Sequence, residues 1–389
     1  MRRSLGSRTA IAFAAFVVAT SVIVVAATPA GAAPSWSIAP SPSAPDGTGL
    51  TAVSCPTTAD CFAVGGYQTG SAVQSWIGRW NGSAWSRMIS PSPPSATAVY
   101  LRALTCLSTT SCFAVGGYNS PKEKTLVMRW NGSVWSIMTS PNPAFVSNPE
   151  LEGVGCRGAT NCFAVGRFQT NQSGSTLRSL IEHWDGSAWS IMTHPRPTGV
   201  SVLNAVRCPG ATSCFSIGGY GTGNGNNTLV EHWDGSTWSI MSSPTPTGAT
   251  FAGLNSLSCT SLTNCFAVGQ SAGTGNGYRT LVEHWDGSAW STITSPNVLS
   301  ASNGLFSVAC PSAANCFAVG FTQYNPSGLV HSLIEHWDGS AWSIVTHPRP
   351  SGSSWLFSVS CPSGLECFAV GYYETTAGTP AKPLVEAYR

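Results

Sequence analysis

The stretch "SCPTTADCFAVGGY" at residues 54–67 decides the fold, because variants of it recur along the whole chain. "TCLSTTSCFAVGGY" begins at Thr105, "RCPGATSCFSIGGY" at Arg207 and "SCPSGLECFAVGYY" at Ser360. The first cysteines of seven such stretches stand at positions 55, 106, 156, 208, 259, 310 and 361, a spacing of 50 to 52 residues. The chain is therefore built from seven repeats of one unit.

Each unit contains four short runs in which apolar and small or polar residues alternate, as in half-buried strands. In the fourth unit these runs are "LNAVRC", "CFSIGG", "TLVEHW" and "WSIMSSP". The composition agrees with a turn-rich all-β protein, since only 9% of the residues are charged and Gly (41) and Pro (26) are abundant. A four-stranded unit of this length, repeated in tandem, predicts an all-β fold with one β-propeller blade per repeat.

The two ends of the chain predict how the ring of blades closes. Residues 35–42, "SWSIAPSP", match the last strand of a unit, whereas the C-terminal "PLVEAYR" stops where other units continue with "LVEHWDG". We therefore predict a seven-bladed β-propeller of four-stranded blades, in which an N-terminal strand completes the C-terminal blade. Such closure leaves no exposed edge strand.

The N-terminus predicts export. A basic start, an apolar run over about residues 10–27 and "AGA" ending at Ala32 are typical of a secretory signal peptide. We predict a signal peptide over residues 1–32 and the propeller over residues 33–389, with a secreted or cell-surface location. The apolar run is long, so an uncleaved membrane anchor is the alternative. Otherwise no membrane contact is expected.

The fourteen cysteines form seven pairs, each separated by six residues. In an oxidising compartment such an even, regular set predicts disulfides. Zinc is the alternative, but each pair stands alone in its repeat, whereas a zinc site needs four converging ligands. The predicted disulfides, each closing the first hairpin of a blade, are Cys55–Cys61, Cys106–Cys112, Cys156–Cys162, Cys208–Cys214, Cys259–Cys265, Cys310–Cys316 and Cys361–Cys367.

The unit "CFAVGGY…RWNGSAWSRMISPSP" (61–93) resembles the kelch repeat, including the kelch-like central domain of galactose oxidases. The shared features are a glycine pair after the second strand, such as Gly65 and Gly66, an aromatic residue next to it, a Trp that opens the fourth strand, and a proline-rich exit. The resemblance spans nearly all of residues 33–389 and implies the propeller fold. The crosslinked tyrosine of galactose oxidase needs an unpaired cysteine, and none is left over here, so the resemblance implies no such activity.

Loop lengths distinguish the two faces of the predicted disc. The Cys-to-Cys turn keeps one length in all seven repeats and the Trp-to-Trp turn in the six complete copies, whereas the second turn and the blade-to-blade link vary. In an up-and-down blade the first and third turns share one face, here called the uniform face. The second turn and the link share the other, the variable face. Since function usually resides in variable loops on a rigid scaffold, we expect a ligand on the variable face near the central channel.

Aromatic residues are the candidate ligand contacts on the variable face. They could stack on sugars or anchor a protein, although many could instead pack between blades. Further aromatic residues there are Tyr100, Phe145, Phe251 and Phe321. The candidate ligand-binding residues are Tyr67, Trp76, Tyr118, Phe168, Tyr220, Tyr278, Tyr324, Trp355, Tyr372 and Tyr373.

Other classes of function find little support in the sequence. The net charge is +2, and without Arg2, Arg3 and Arg8 of the leader it is 2 − 3 = −1, so we expect no nucleic-acid binding. The repeated "EHWDG" is interpreted as structural, because neighbouring strand residues such as Glu182 and His183 point to opposite faces. No catalytic residue, cofactor or metal site is predicted.

The sequence favours a monomeric binding module for an extracellular glycan or protein. A passive structural surface protein is one alternative. The other is a carbohydrate-active enzyme, which would need two carboxylates flanking one bond in the central channel.

Overall fold

The computed structural model describes residues 33–144, 146–170, 176–221, 227–274, 277–324, 328–376 and 378–389. The predicted signal peptide and Phe145 lie outside the described residues. In the described part of the chain the regular structure consists of 28 β-strands. None of the described segments is a helix long and apolar enough to cross a membrane.

The strands follow one another in seven groups of four. The N-terminal strand is β1 (Trp36–Ile38). Blade 1 comprises β2 (Gly49–Thr57), β3 (Asp60–Thr69), β4 (Ala72–Trp80) and β5 (Trp85–Met88). Blade 2 comprises β6 (Ala98–Ser108), β7 (Ser111–Asn119), β8 (Glu123–Trp130) and β9 (Trp135–Met138). Blade 3 comprises β10 (Ser147–Gly158), β11 (Asn161–Gln169), β12 (Leu177–Trp184) and β13 (Trp189–Ile191). Blade 4 comprises β14 (Val200–Gly210), β15 (Ser213–Gly221), β16 (Asn227–Trp233) and β17 (Trp238–Met241). Blade 5 comprises β18 (Ala249–Ser261), β19 (Asn264–Gly273), β20 (Arg279–Trp285) and β21 (Trp290–Ile293). Blade 6 comprises β22 (Ala301–Ser312), β23 (Asn315–Tyr324), β24 (Val330–Trp337) and β25 (Trp342–Ile344). Blade 7 comprises β26 (Ser353–Ser363), β27 (Glu366–Glu374) and β28 (Lys382–Tyr388), together with β1.

The predicted ring closure is confirmed. Strand β1 pairs antiparallel with β28, with Trp36 opposite Tyr388 and Ile38 opposite Glu386, so that blade 7 has the order β1-β28-β27-β26. The other blades are antiparallel meanders in chain order, and a single parallel bridge, Val73 to Ala98, joins blades 1 and 2. Neighbouring blades therefore form a closed ring in which the first strand of each blade is innermost.

The hydrophobic core lies between blades. The Phe after the second cysteine of each repeat is buried, and in blades 1 to 5 it packs on two Trp residues of the next blade; for Phe62 these are Trp130 and Trp135, with ring centroids 5.7 and 6.1 Å away. Phe368 of blade 7 packs on Trp80, 5.7 Å away. At the closure Phe317 packs in the same way on Trp36, 5.4 Å away, and on Tyr388, 4.8 Å away. The repeat of "CFAV" and the two Trp positions thus encodes one inter-blade contact seven times.

Trp36→Ala is expected to lower the free energy of unfolding by ~3–5 kcal/mol, the range for a buried Trp. The reason is that Trp36 is only 5% exposed and completes the core between blades 6 and 7. Urea unfolding measures the change, and Trp238→Ala at the equivalent place in blade 4 is the matched control. A cost for Trp36→Ala far below that for Trp238→Ala would contradict closure through β1.

The seven predicted disulfides are confirmed. Each joins the end of the innermost strand to the start of the second strand, with Cα atoms 4.0 to 4.1 Å apart. The second cysteine of every pair is buried, as Cys61 and Cys367 illustrate. Each disulfide therefore fastens the first hairpin of its blade on the uniform face.

The "WNG" and "WDG" turns are also structural, but they differ from the tight turn that Asn-Gly and Asp-Gly suggest. Trp80 pairs with Trp85, so the loop holds four residues. The Asn81 side chain accepts the backbone N–H groups of Ser83 and Ala84. Asp185 accepts the equivalent bonds, and these, led by the one from Ala188, lower its pKa to about 2. Asn and Asp interchange here because either side chain can accept these bonds.

The Glu of "EHW" forms a second link between blades. Glu182, Glu283 and Glu335 are fully buried and accept hydrogen bonds from Ser140, Ser243 and Ser295 of the preceding blade, at 2.8, 2.8 and 2.7 Å. Burial raises their pKa values to about 8, about 7 and about 8. These carboxyl groups lie inside the structure, away from any surface where a substrate could bind.

In two blades the serine is replaced by the histidine of "HPRP". His194 and His347 contact Glu231 and Glu386 at 3.0 and 2.9 Å, and all four side chains are buried. These histidines are buried because each fills the inter-blade position of the serine.

Candidate binding site at the channel mouth

A central channel runs through the ring, lined by the innermost strands β2, β6, β10, β14, β18, β22 and β26, and encloses a cavity of about 270 Å³. Each innermost strand starts after a blade-to-blade link and ends at a disulfide hairpin. The channel therefore opens at the start of these strands on the variable face. We call this opening the channel mouth.

Every innermost strand carries a β-bulge near the channel mouth. In β2 the pairing with β3 shifts register between Leu50 and Ala52, and the other six blades shift after the equivalent Leu. A bulge leaves one residue unpaired and redirects its side chain. The unpaired residue is always the fourth before the first cysteine, and all seven line the channel. We call this set the mouth ring: Thr51, Arg102, Glu152, Asn204, Asn255, Phe306 and Phe357.

Three residues of the mouth ring are polar and uncharged. Thr51, Asn204 and Asn255 each donate a side-chain hydrogen bond to the carbonyl of the recurring Leu in the next blade, at 2.8 Å. These three residues therefore connect neighbouring blades in addition to lining the opening.

In blades 6 and 7 the mouth ring is aromatic. Phe306 and Phe357 stack on each other across blades 6 and 7, with ring centroids 5.1 Å apart. Phe321 stacks on the far side of Phe306 at 5.2 Å, Tyr372 stacks on Phe357 at 5.5 Å, and Trp355 follows at 4.9 Å from Tyr372. We call these five residues the aromatic wall. All five side chains are partly exposed, so the wall presents a continuous apolar surface to solvent.

A charged cluster faces the channel in blades 2 and 3. Glu150 accepts hydrogen bonds from Arg102 at 2.7 Å and from Arg167 at 3.1 Å, and Arg167 also contacts Glu152 at 2.9 Å. Burial raises the pKa of the Glu152 carboxyl above its usual value, with Arg167 opposing the shift. Burial also disfavours the charge on Arg102, but Glu150 and Glu152 outweigh it and raise the pKa of Arg102. The four charges compensate one another.

Of the ten candidate ligand-binding residues, two lie at the channel mouth. Trp355 and Tyr372 belong to the aromatic wall. Trp76 does not reach any surface: its side chain is 0% exposed and packs between blades 7 and 1. Its candidacy as a ligand contact is therefore wrong. Phe168 is only 6% exposed and packs in the core between blades 2 and 3, which contradicts a surface role for it as well.

Four further candidates pack against core clusters on the side of their sheet away from the mouth. Consecutive residues of a strand point to opposite faces of the sheet. Tyr372 therefore joins the aromatic wall, whereas its neighbour Tyr373 packs on the core cluster of Trp36. The residues at the position of Tyr373 in blades 1, 2 and 4 behave alike and are partly exposed: Tyr67, Tyr118 and Tyr220.

The two remaining candidates lie on the variable face beside other residues. Tyr278 is 40% exposed and contacts Phe251 edge-to-face at 5.7 Å. Tyr324 contacts His331 at 5.5 Å. A ligand-binding role for either residue stays a prediction.

The sequence analysis missed Phe306 and Phe357, the centre of the aromatic wall. A signal for them was present, because the fourth residue before each first cysteine varies from repeat to repeat while the preceding Leu does not. The same comparison places Trp76 at the position of the core residues Leu126 and Leu180, four residues before the "W(N/D)G" Trp.

The chain is a β-propeller whose seven four-stranded blades are closed by a split blade and fastened by disulfide hairpins. It resembles solved propellers in fold at low sequence identity. YCF48 bound to D1 peptide is 12% identical with a TM-score of 0.54, over 91% of this chain and 96% of that one. The WD40 β-propeller domain of Doa1 is 8% identical with a TM-score of 0.53, over 91% and 97%. The fucose-specific lectin from Aleuria aurantia is 14% identical with a TM-score of 0.50, over 79% and 97%.

Neither protein-family models nor curated proteins match the chain. Within the described residues no group of three or more His, Cys, Asp or Glu side chains is arranged to hold a metal ion. The chemistry of the candidate site is therefore that of the mouth ring and the residues around it.

Proposed function

We propose that the protein is an exported binding module that holds its ligand at the channel mouth. The observation that carries this proposal is the aromatic wall. In blades 2 to 5 the mouth ring is polar or charged, whereas blades 6 and 7 place Phe306 and Phe357 at an opening that contacts water. Contiguous apolar surface of this kind is a feature of interaction sites on soluble proteins.

The geometry of the wall favours a protein segment over a sugar. The inner rings of the stack cover one another's faces, so that mainly ring edges remain for a ligand. Ring edges carry the positive end of the aromatic quadrupole and prefer the face of another aromatic ring or an aliphatic group. Arg102 and Glu152 of blades 2 and 3 are ion-paired but line the same opening, so a charged residue of the ligand can join their network. We propose that the ligand is a peptide segment with an aromatic or apolar anchor and a flanking charged residue.

Neighbours in fold bind ligands of both kinds, since YCF48 is bound to a D1 peptide and the Aleuria aurantia protein is a fucose-specific lectin. A lectin is thus the second candidate, and the partly exposed indole of Trp355 at the end of the wall is the place where a sugar ring could stack. The carbohydrate-active enzyme is disfavoured, because Glu150 and Glu152 are both occupied by arginine. A passive surface protein would have no need of an exposed aromatic wall.

The proposal includes where the protein is located and which repeats its blades resemble. Seven disulfides fit an extracellular protein. We propose that residues 1–32 direct export, that the propeller acts as a monomer in the extracellular space or at the cell surface, and that its blades are kelch-like. The recurring glycine within the second strand supports the last point: in blade 1 a Cβ on Gly65 would lie 2.0 Å from the carbonyl oxygen of Gly49.

The double variant Phe306→Asn/Phe357→Asn is expected to lose at least ~30-fold in ligand affinity, as for two aromatic anchors in an interface. Asn is the residue that blades 4 and 5 carry in the mouth ring, so the fold accommodates it. The wild-type protein is used to select from phage-displayed random dodecapeptides, and the selected peptides are tested on the variant. A glycan array is probed in parallel.

Leu299→Ser is the matched control, because it removes an exposed apolar residue of the variable face outside the aromatic wall. Peptides that bind wild type and Leu299→Ser but not the double variant support the proposal. Glycans that show this pattern, without peptides, would keep the site and overturn the protein ligand. Ligands that bind all three proteins equally would overturn the site.

A further inference from the structure

Arg207 stands alone in the channel near the uniform face. It precedes Cys208 on β14 and lines the channel. Arg207 is exposed to the channel, and the protein atoms around the channel desolvate its guanidinium. In the other blades the residue before the first cysteine is small: Ser54, Thr105, Gly155, Ser258, Ala309 and Ser360.

No carboxylate compensates this charge among the described residues. Arg102, Arg167, Arg79 and Arg389 each form an ion pair with an acid, but Arg207 forms none. Its one hydrogen bond, to the carbonyl of Val154, is long at 3.5 Å. Burial lowers the pKa of Arg207, and no neighbouring charge opposes the shift. A guanidinium has five N–H donors, so most of its donors are available to a ligand.

Serine hydroxyl groups line the channel around the same region. Ser54, Ser258 and Ser360 each accept the backbone N–H of a cysteine in the next blade, at 3.0, 3.0 and 2.9 Å. One step nearer the mouth, Ser307 and Ser358 accept N–H groups in the same way, at 3.2 and 3.1 Å. A hydroxyl whose oxygen accepts still has its own hydrogen to donate. Within the described residues none of these hydroxyls donates to protein.

We infer that the channel binds a small free oxyanion, such as phosphate, sulfate or a short carboxylate, between Arg207 and these serine hydroxyls. A guanidinium and several O–H donors are the chemistry that binds oxyanions, and charge-assisted bonds of this type are the strong ones. The cavity of about 270 Å³ is large compared with the ~30 Å³ that one water molecule occupies in the liquid. Arg207 lies toward the uniform face of the cavity that Phe306 and Phe357 line at the channel mouth, and the inference does not depend on the function proposed for the aromatic wall.

A matched set of variants distinguishes a binding site from a side chain that only fills the channel. Arg207→Gln removes the charge and keeps most of the volume. Arg207→Lys keeps a charge but loses the planar fork of donors. Arg157→Gln is the control, since Arg157 lies on the equivalent disulfide hairpin of the neighbouring blade 3 and is exposed.

The probes are inorganic phosphate, sulfate and acetate, titrated into the purified wild-type protein at constant ionic strength while the melting temperature is followed. We expect at least one anion to raise the melting temperature of wild type and of Arg157→Gln in a saturable manner. The apparent affinity should fall about tenfold or more in Arg207→Gln, and less in Arg207→Lys. Ser258→Ala should weaken binding without abolishing it.

Equal responses in wild type and Arg207→Gln would overturn the inference, because the anion would then act elsewhere. Absence of a saturable response in wild type would also overturn it and leave Arg207 as a filler of the channel. Binding of 2-naphthalenesulfonate without binding of sulfate would contradict the statement that the ligand is a small free anion.

Discussion

Reduction of the disulfides is expected to shift the urea unfolding midpoint of the propeller to a much lower concentration, and to unfold it in mild denaturant. Each disulfide closes a hairpin loop with a sequence separation of six residues. By the chain-entropy estimate a loop of that size contributes roughly 2 kcal/mol. A folded protein typically has a free energy of unfolding of only ~5–15 kcal/mol. The loss of seven such contributions therefore removes most or all of that stability.

The measurement is Trp fluorescence in urea with and without a phosphine reductant, with the thiol content determined by mass spectrometry. Removal of one disulfide at a time, by Cys55→Ala/Cys61→Ala or by Cys259→Ala/Cys265→Ala, should lower the free energy of unfolding by roughly 2 kcal/mol. Their effects should add, because the two hairpins lie in blades that do not touch. An unchanged urea midpoint in the fully reduced protein would contradict a stabilising role for the disulfides.

The second large effect is a loss of stability as the pH rises. The folded protein raises the pKa of Glu182 and Glu335 to about 8, whereas the ordinary value is 4.5. A group whose pKa is higher in the folded than in the unfolded protein makes its full contribution to stability when the pH is below its pKa in the unfolded protein. That contribution decreases as the pH rises from about 4.5 to about 8, because only the unfolded chain releases the proton. For each glutamate the free energy of unfolding should fall by up to ~1.4 kcal/mol per pH unit in this window.

The variant Glu182→Gln/Glu335→Gln isolates this effect. It should be more stable than wild type at pH 8 and close to wild type at pH 4.5, as measured by urea unfolding. Histidines such as His183 have lowered pKa values because of burial and act in the opposite direction, but they cancel in the difference between the two proteins. Met128 occupies the same position in blade 2, which shows that an uncharged side chain fits there.

Asp185→Asn, a change at an exposed acid whose pKa of about 2 lies below this pH window, is the control and should leave the pH profile unchanged. Parallel pH profiles for wild type and the double Gln variant would contradict the assignment of buried, neutral glutamates.

The fold could be predicted from the sequence because the same contacts recur seven times. The spacing of Cys, Phe and Trp repeats the inter-blade contact of Phe62 with Trp130 and Trp135, and the terminal "SWSIAPSP" matches a strand that the last repeat lacks. The four-residue turn after Trp80 was not predicted, since its geometry depends on the side-chain bonds of Asn81.

The candidate site was predicted less completely, for two physical reasons. The β-bulge after each Leu changes the alternation of the innermost strands, so a strict period of two does not show that Phe306 and Phe357 line the opening. Trp76 was predicted to be a ligand contact because it is an aromatic residue in a segment assigned to the variable face. Its indole occupies the space beside Gly78, which stands where blades 3 to 7 have Glu: a Cβ on Gly78 would lie 2.1 Å from the indole.

Calorimetric titration of one selected peptide tests whether the aromatic wall binds the ligand. The peptide is titrated into wild type, Leu299→Ser and Phe306→Asn/Phe357→Asn, each shown by its urea midpoint to be folded. We expect equal dissociation constants for the first two proteins and at least ~30-fold weaker binding to the third. The same dissociation constant for all three folded proteins would contradict the claim that the channel mouth is the binding site.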